Sequence, residues 1–155
     1  MRSIEWLVVH SAAAYDPKAK RIVHQTVDQI RDYHIRHNGW KDIGYHAYIE
    51  QDGTILPGRD EQDWGSHVAG FNGQSLGICV SGHGDYADFN PEQRASLVLR
   101  LTRWCRHYGL SADHCIGHRE ADEHGAPRVL KTCPGTLVDM DNIRQLVREK
   151  LAVPA

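Results

Sequence analysis

Alternation between apolar and polar positions divides the chain into strands and helices. Four apolar or alternating segments predict strands: residues 4–10, 44–58, 74–82 and 113–118. The first is a β-branched run that ends at His10. The second contains Asp52-Gly53, a strong hairpin signal, and is therefore expected to form two strands. The pattern predicts a sheet that includes one hairpin.

Three other segments carry helix signals. Thr26 and Gln29 form a capping box for a helix over about 26–38, which Asn38-Gly39 ends. Asn90 and Pro91 suit the start of a second helix, which Gly109 ends. Its apolar positions recur at helical spacing and predict a core-facing stripe: Leu97, Leu101, Trp104, Cys105 and Tyr108. Residues 139–151 predict a last amphipathic helix, and 119–138 are expected to be mostly loop.

The order of these elements is strand, helix, hairpin, strand, helix, strand, helix. Such alternation predicts an α/β fold with a central mixed β-sheet flanked by helices. The sequence shows no internal repeat, low-complexity tract or linker. We therefore expect residues 1–155 to form a single domain.

Composition narrows the classes of partner. The 155 residues carry a formal net charge of −2, which favours neither nucleic acid nor an anionic membrane surface as a partner. No apolar run approaches the roughly 20 residues that span a bilayer, so no membrane insertion is expected. The first residues lack a signal-peptide pattern, which predicts synthesis and accumulation in the cytoplasm. We expect a monomer.

Cysteine and histidine carry the candidate chemistry. The four cysteines are too widely spaced for a small disulfide framework, and Cys79 and Cys105 lie in apolar contexts typical of buried thiols. Cys133 differs, because "VLKTCPG" places it in a loop. The 11 histidines are an unusually large number for a chain of this length.

Two histidines stand at the carboxyl ends of predicted strands, where sites in open α/β sheets gather. These are His10 and His118, and Cys133 follows in a loop that can fold back toward them. Two imidazoles and one thiolate suit tetrahedral zinc and leave a fourth position for water. The spacing predicts a catalytic zinc site.

Other groupings compete with this one. His114 and Cys115 lie close to His118, but neighbouring residues of a strand point to opposite faces. His34 and His37 lie one helical turn apart, where a solvated or packing role is the simpler interpretation. A structural zinc site would normally show paired ligands such as C-x-x-C, and the sequence has none.

Five blocks of local sequence, in order, resemble one enzyme family. The blocks are "VVHSAA" (8–13), "GWKDIGYHAYIEQDGTILPGRDE" (39–61), "GSHVAGFNGQSLGICVSG" (65–82), "GHRE" (117–120) and "KTCPG" (131–135). The chain resembles the zinc-dependent N-acetylmuramoyl-L-alanine amidases, which include phage lysozyme-amidases and peptidoglycan recognition proteins. The compact spacing of the blocks is most similar to the phage branch.

The resemblance implies a function and a site. Zinc would be held by His10, His118 and Cys133, and Tyr45 and Lys131 would be the auxiliary catalytic residues. The substrate would be peptidoglycan, cleaved between N-acetylmuramic acid and L-alanine. A phage or prophage endolysin would stay in the host cytoplasm until it is released to the cell wall. Recognition-only members usually lack one of the five residues, so their presence together favours an enzyme.

Several interpretations stay open at this point. Without the family, Tyr45 would be a half-buried aromatic of a sheet and Lys131 a solvated charge. His67 is a candidate for lining the substrate groove, whereas His46 is expected to be structural. A cytoplasmic amidase that recycles muropeptides would cleave the same bond in soluble substrates. A non-catalytic peptidoglycan-binding protein, or one that regulates a polymerase partner, is the alternative from another class.

Overall fold

The predicted alternation of strands and helices is present in the computed structural model, which describes all 155 residues. Ten strands and helices form, and their bounds in chain order are β1 (Trp6–Ser11), β2 (Tyr15–Asp16), β3 (Arg21–Ile22), α1 (Val27–Arg36), β4 (Ala47–Ile49), β5 (Ile55–Pro57), β6 (Ser75–Val80), α2 (Pro91–Tyr108), β7 (Cys115–Gly117) and α3 (Met140–Leu151). The α/β class is therefore confirmed.

The five-stranded sheet explains where the site forms. Its order is β5-β4-β6-β1-β7. Strands β4, β6, β1 and β7 run parallel, and only the β4–β5 hairpin is antiparallel, so the sheet is mixed as predicted. Strands β1 and β6 are buried along almost their whole length, as parallel strands covered on both faces usually are. The carboxyl ends of β1 and β7 consequently meet at one edge.

Alternation along β1 sends its side chains to two different cores. Leu7 and Val9 join the larger cluster with the apolar faces of α2 and α3. Val8 packs on the opposite face with Phe71 and Ile116. The His10 side chain follows Val8 by two residues and shares that opposite face. Helix α1 covers part of the same face through Val27 and Ile30.

The helices begin and end at the predicted signals. The predicted capping box forms at Thr26 before α1, and Asn90 caps α2, where the structure adds a second capping box with Gln93. Gly109 takes the left-handed conformation, at φ 68°, that ends α2 without Cβ strain. Asp139 caps α3. No helix combines the length and the apolar composition that a membrane crossing needs.

The structure corrects four details of the predicted layout. The strand predicted over 113–118 is shorter, because residues 112–114 form a turn of 3₁₀ helix before β7. Residues 119–124, expected to be loop, form another 3₁₀ helix together with His118, and their polar sequence shows no helical spacing of apolar residues. The β2–β3 hairpin was not predicted, since two-residue strands show no alternation. Tyr45 lies before β4 rather than within a strand.

Candidate metal centre and active site

Three predicted ligands meet at the edge of the sheet. The side-chain nitrogens of His10 and His118 and the sulfur of Cys133 lie within 4.8 Å of one another. No other group of three His, Cys, Asp or Glu side chains in the chain is arranged to hold a metal. Because β1 and β7 are parallel neighbours, His10 near the end of one and His118 just after the other come together.

The orientation of His10 is well defined. Its side chain is only 2% exposed. Its Nδ1 lies 3.6 Å from the Cys133 sulfur, and its Nε2 lies 2.9 Å from His67 Nδ1. The His118 ring stands 4.8 Å from the His10 ring, centroid to centroid. His10 therefore turns Nδ1 toward the cluster and Nε2 toward the protein.

Two residues outside the cluster, Arg119 and Asp85, hold the loop that carries Cys133. The Arg119 backbone N–H donates to the Cys133 carbonyl at 2.8 Å, and its guanidinium donates to the Gly135 and Val138 carbonyls. The Asp85 carboxylate accepts from the Thr132 hydroxyl at 2.9 Å and from the Thr136 backbone N–H at 2.8 Å. The loop is thus fixed on both sides of the thiol.

Burial sets the charge of the three ligands. It lowers the pKa of His118 to about 4, with the nearby Lys131 charge as a second cause. It also lowers the pKa of His10 well below the usual value, and His67 and His118 add to this effect. Burial raises the pKa of the Cys133 thiol to about 11. Both imidazoles are therefore neutral at pH 7, as metal ligands must be, and binding a metal requires the thiol to lose its proton.

The two auxiliary residues lie beside the cluster. The Tyr45 ring stands 5.1 Å from the His10 ring, centroid to centroid. Burial, followed by the adjacent Cys79, raises the pKa of Tyr45 well above its usual value, so its hydroxyl keeps the proton at neutral pH. Lys131 is exposed and lines an open cavity together with Cys133 and His83. Its charge reaches the ligands, since it lowers the pKa values of His10 and His118.

His67 lies behind the cluster, against His10. The two rings meet edge to face at 5.0 Å. The 2.9 Å contact between His67 Nδ1 and His10 Nε2 directs one ring nitrogen at a ligand. The contact with substrate predicted for His67 stays a prediction.

The competing histidine groupings have other partners. His34 Nδ1 accepts from the Gly44 N–H at 2.9 Å, and the His37 ring stacks on Tyr33. Cys115 is fully buried and its sulfur lies 3.7 Å from the Cys105 sulfur. His114 accepts from the Ser111 N–H at the preceding turn. None of these groupings forms a metal site.

Sequence reasoning missed several residues that surround the site. Cys79 is the partner of His10 in the β1–β6 register, which places a second buried thiol beside Tyr45. Asp85 and Arg119 are not distinguishable from other charged loop residues by type or spacing. Only the register of β1 against β6 places Cys79 beside His10, and that register cannot be known before the order of strands in the sheet is known.

Acid is expected to destabilise the metal-free protein through His46. This ring is 3% exposed; its Nδ1 accepts from the Gly77 N–H at 3.0 Å and its Nε2 lies 2.8 Å from the Asp63 carbonyl oxygen. Burial lowers its pKa from 6.5 to about 4. The unfolded chain therefore binds the proton first as pH falls, so stability present above pH 6.5 is lost toward pH 4.

Between about pH 7 and about pH 4.5 the expected loss of unfolding free energy from His46 alone is about 2 kcal/mol, at about 1.4 kcal/mol per pKa unit. Urea unfolding at about pH 7 and about pH 4.5 measures it, with His46→Gln as the variant that no longer titrates. We expect a smaller loss of unfolding free energy in His46→Gln than in the wild type. Equal losses in the two proteins would contradict the assignment to His46.

Comparison with known proteins places this chain in a family. Residues 1–136 match the family model described as N-acetylmuramoyl-L-alanine amidase. The endolysin of Enterobacteria phage K11 is 43% identical over 123 residues, which cover 74% of this chain and 80% of that protein. The endolysin of Escherichia phage T7 is 45% identical over 96 residues, which cover 57% of this chain and 63% of that protein.

Solved structures show the same architecture. The N-acetylmuramoyl-L-alanine amidase LysC from Clostridium intestinale URNW superposes with a TM-score of 0.77 at 27% identity, covering 99% of this chain and 88% of that chain. The Ph2119 endolysin from the Thermus scotoductus MAT2119 bacteriophage superposes with a TM-score of 0.74 at 22% identity, covering 95% and 86% of the two chains, and supports the fold. The chain therefore belongs to the N-acetylmuramoyl-L-alanine amidase family.

Proposed function

We propose that this chain is a zinc-dependent hydrolase that cleaves the amide bond between N-acetylmuramic acid and L-alanine in peptidoglycan. The observation that carries the proposal is the convergence of His10, His118 and Cys133 within 4.8 Å, in a chain of the amidase family. Peptidoglycan as substrate agrees with the family and with the endolysins among the relatives.

The three ligands fit zinc by their chemistry. Two neutral nitrogen donors and one sulfur donor match the preference of zinc, whereas magnesium and calcium prefer oxygen. When bound, zinc would supply Lewis acidity and lower the pKa of a water molecule toward about 7. His10, His118 and Cys133 would hold it, with the 131–135 loop kept in place by Arg119 and Asp85.

Lys131 would stabilise the negative charge that develops on the carbonyl oxygen of the amide. Its ammonium lies at the open side of the cluster, where it raises the local positive potential felt by both histidine ligands. A cation placed where charge develops stabilises the transition state more than the bound substrate. Lys131 would thus accelerate the chemical step without being needed for metal binding.

Tyr45 would donate a hydrogen bond at the reacting centre. Its buried hydroxyl stays protonated at neutral pH, so it acts as a donor rather than as a base. Such a donor can orient the attacking water or the carbonyl of the substrate. The leaving amine of L-alanine also takes up a proton, which Tyr45, Lys131 or a nearby histidine would deliver.

We further propose that the protein acts as an endolysin. The relatives from phages K11 and T7 are endolysins, and the proposed target is the intact wall rather than soluble fragments. The protein would remain in the host cytoplasm, as a monomer, until it is released to the wall. Association with a polymerase partner is a separate hypothesis, which a pull-down from host lysate would test.

Lysis of purified sacculi tests the proposal. We expect the zinc-loaded protein to clear a sacculus suspension, the chelator-treated protein to fail, and added zinc to restore clearing. Release of peptide from soluble anhydro-muropeptides, measured in parallel, distinguishes a recycling amidase. Strong activity on the fragments with none on sacculi would contradict the endolysin role, and full activity after complete zinc removal would contradict the metal dependence.

A further inference from the structure

A chain of hydrogen bonds runs from the cluster into the protein through His67. His10 Nε2 lies 2.9 Å from His67 Nδ1. His67 Nε2 lies 3.3 Å from the Ser75 hydroxyl, and that hydroxyl donates to the Phe71 carbonyl at 2.7 Å. The chain begins at a ligand and ends on a backbone carbonyl, a group that can only accept.

The carbonyl at the end determines the direction of every bond in the chain. Because the Ser75 hydroxyl donates to Phe71, its oxygen is left to accept from His67 Nε2–H. A neutral imidazole protonated at Nε2 has a free lone pair at Nδ1, so His67 accepts from His10 Nε2–H. His10 is then protonated at Nε2, and its lone pair lies at Nδ1.

That free nitrogen is the one that faces the cluster. His10 Nδ1 lies 3.6 Å from the Cys133 sulfur. A metal ligand needs an unprotonated nitrogen directed at the ion, and a hydrogen bond to the other nitrogen selects this tautomer. The opposite tautomer would direct an N–H at the Cys133 side and leave His10 Nε2 without a proton to donate to His67.

The His67 ring is held too tightly to adopt another orientation. A Cβ atom added at Gly77 would lie 2.7 Å from the His67 ring, so the bare backbone of β6 packs directly against it. The Asn72 side-chain oxygen accepts from the backbone N–H groups of His67 and Val68, at 3.0 and 2.9 Å. The backbone and the ring of His67 are therefore both fixed.

We propose that His67 is a positioning residue, which sets the tautomer and the ring orientation of His10 and thereby prepares Nδ1 as the metal-binding nitrogen. This role differs from the substrate contact that the sequence predicted for His67. The part that concerns zinc rests on the proposed function. The tautomer itself is a property of the protein without metal.

Nitrogen-15 NMR of the histidine side chains tests the tautomer directly. We expect His10 and His67 both to be protonated at Nε2, in the full chain before and after zinc is removed. Protonation of His10 at Nδ1 in the metal-free protein would overturn the proposal. This measurement uses the wild-type chain, so it does not depend on whether a variant folds.

Zinc affinity tests the consequence. His67→Ala is expected to bind zinc about 10–100-fold more weakly, the usual effect of losing the outer partner of a metal-ligating histidine. His67→Asn is expected to regain most of the affinity, since the asparagine side-chain oxygen can take the place of Nδ1 as acceptor. His124→Ala, which removes a ring that stacks on Trp6 instead, should leave the affinity unchanged.

The outcomes separate this inference from the proposed function. If the wild-type chain takes up no zinc, the proposed function fails, and the NMR measurement still decides the tautomer. If the wild type binds zinc and a folded His67→Ala binds it equally tightly, the positioning role fails while the zinc site stands. Competition with a chromophoric chelator gives the affinities, and thermal unfolding checks that each variant is folded.

Discussion

The Cys133→Ala variant is expected to lose its zinc and, with it, lytic activity. The substitution removes the only sulfur of the cluster and leaves the two imidazoles, which is fewer than the three protein ligands of a catalytic zinc site. Loss of the hydrogen-bond partner of a metal-ligating histidine lowers the metal affinity about 10–100-fold. Loss of a ligand itself should therefore lower the zinc affinity more than about 100-fold. Metal analysis after gel filtration and turbidity loss on sacculi measure the two effects.

Cys79→Ala is the matched control for the zinc measurement. It removes another buried thiol, on the strand next to His10, that is not part of the cluster. We expect near-stoichiometric zinc in Cys79→Ala and almost none in Cys133→Ala. Near-stoichiometric zinc or full wall-lytic activity in Cys133→Ala would show that the thiol is not a ligand.

The Lys131→Ala variant is expected to keep its zinc and lose turnover. Lys131 is exposed and acts on the ligands only through its electrostatic charge. Its removal should therefore leave the ligands and their loop in place. Removing a group that stabilises a developing oxyanion typically lowers kcat about 10²–10³-fold. Initial rates of amide cleavage on a saturating suspension of sacculi measure turnover, and metal analysis of the same sample measures zinc.

Arg128→Ala is the control for a general effect of charge. It removes another exposed cation from the same segment of chain. We expect this variant to retain most of the activity, whereas Lys131→Ala does not. Loss of zinc in Lys131→Ala would assign Lys131 a structural role, and full turnover in that variant would remove it from the catalytic mechanism.

Much of the fold follows from local sequence. The capping residues Thr26 and Asn90 and the terminating Gly109 act within a few residues of themselves, and their helices begin and end where expected. The hairpin at Asp52-Gly53 is equally local. Elements whose apolar residues show no regular spacing were not predictable. Among them are the two-residue strands β2 and β3 and the 3₁₀ helix at 118–124.

The ligands were predictable from the sequence, whereas the residues that support them were not. His10 lies near the end of β1 and His118 directly follows β7, and parallel strands place such ends at one edge of a sheet. The partner of His67 depends on ring orientation and on the close approach of β6 at Gly77, which residue spacing does not encode. The hydrogen bond from the Thr132 hydroxyl to Asp85 joins residues distant in sequence, so it cannot be predicted before the fold is known.

Mass spectrometry of sacculi digested by the purified protein tests the central claim most directly, because it identifies the bond that is cut. We predict glycan strands whose N-acetylmuramic acid carries a free lactyl carboxylate, together with peptides that begin with a free L-alanine amine. Products cut at a glycosidic bond or within the peptide, with the muramic acid–alanine amide intact, would contradict the account.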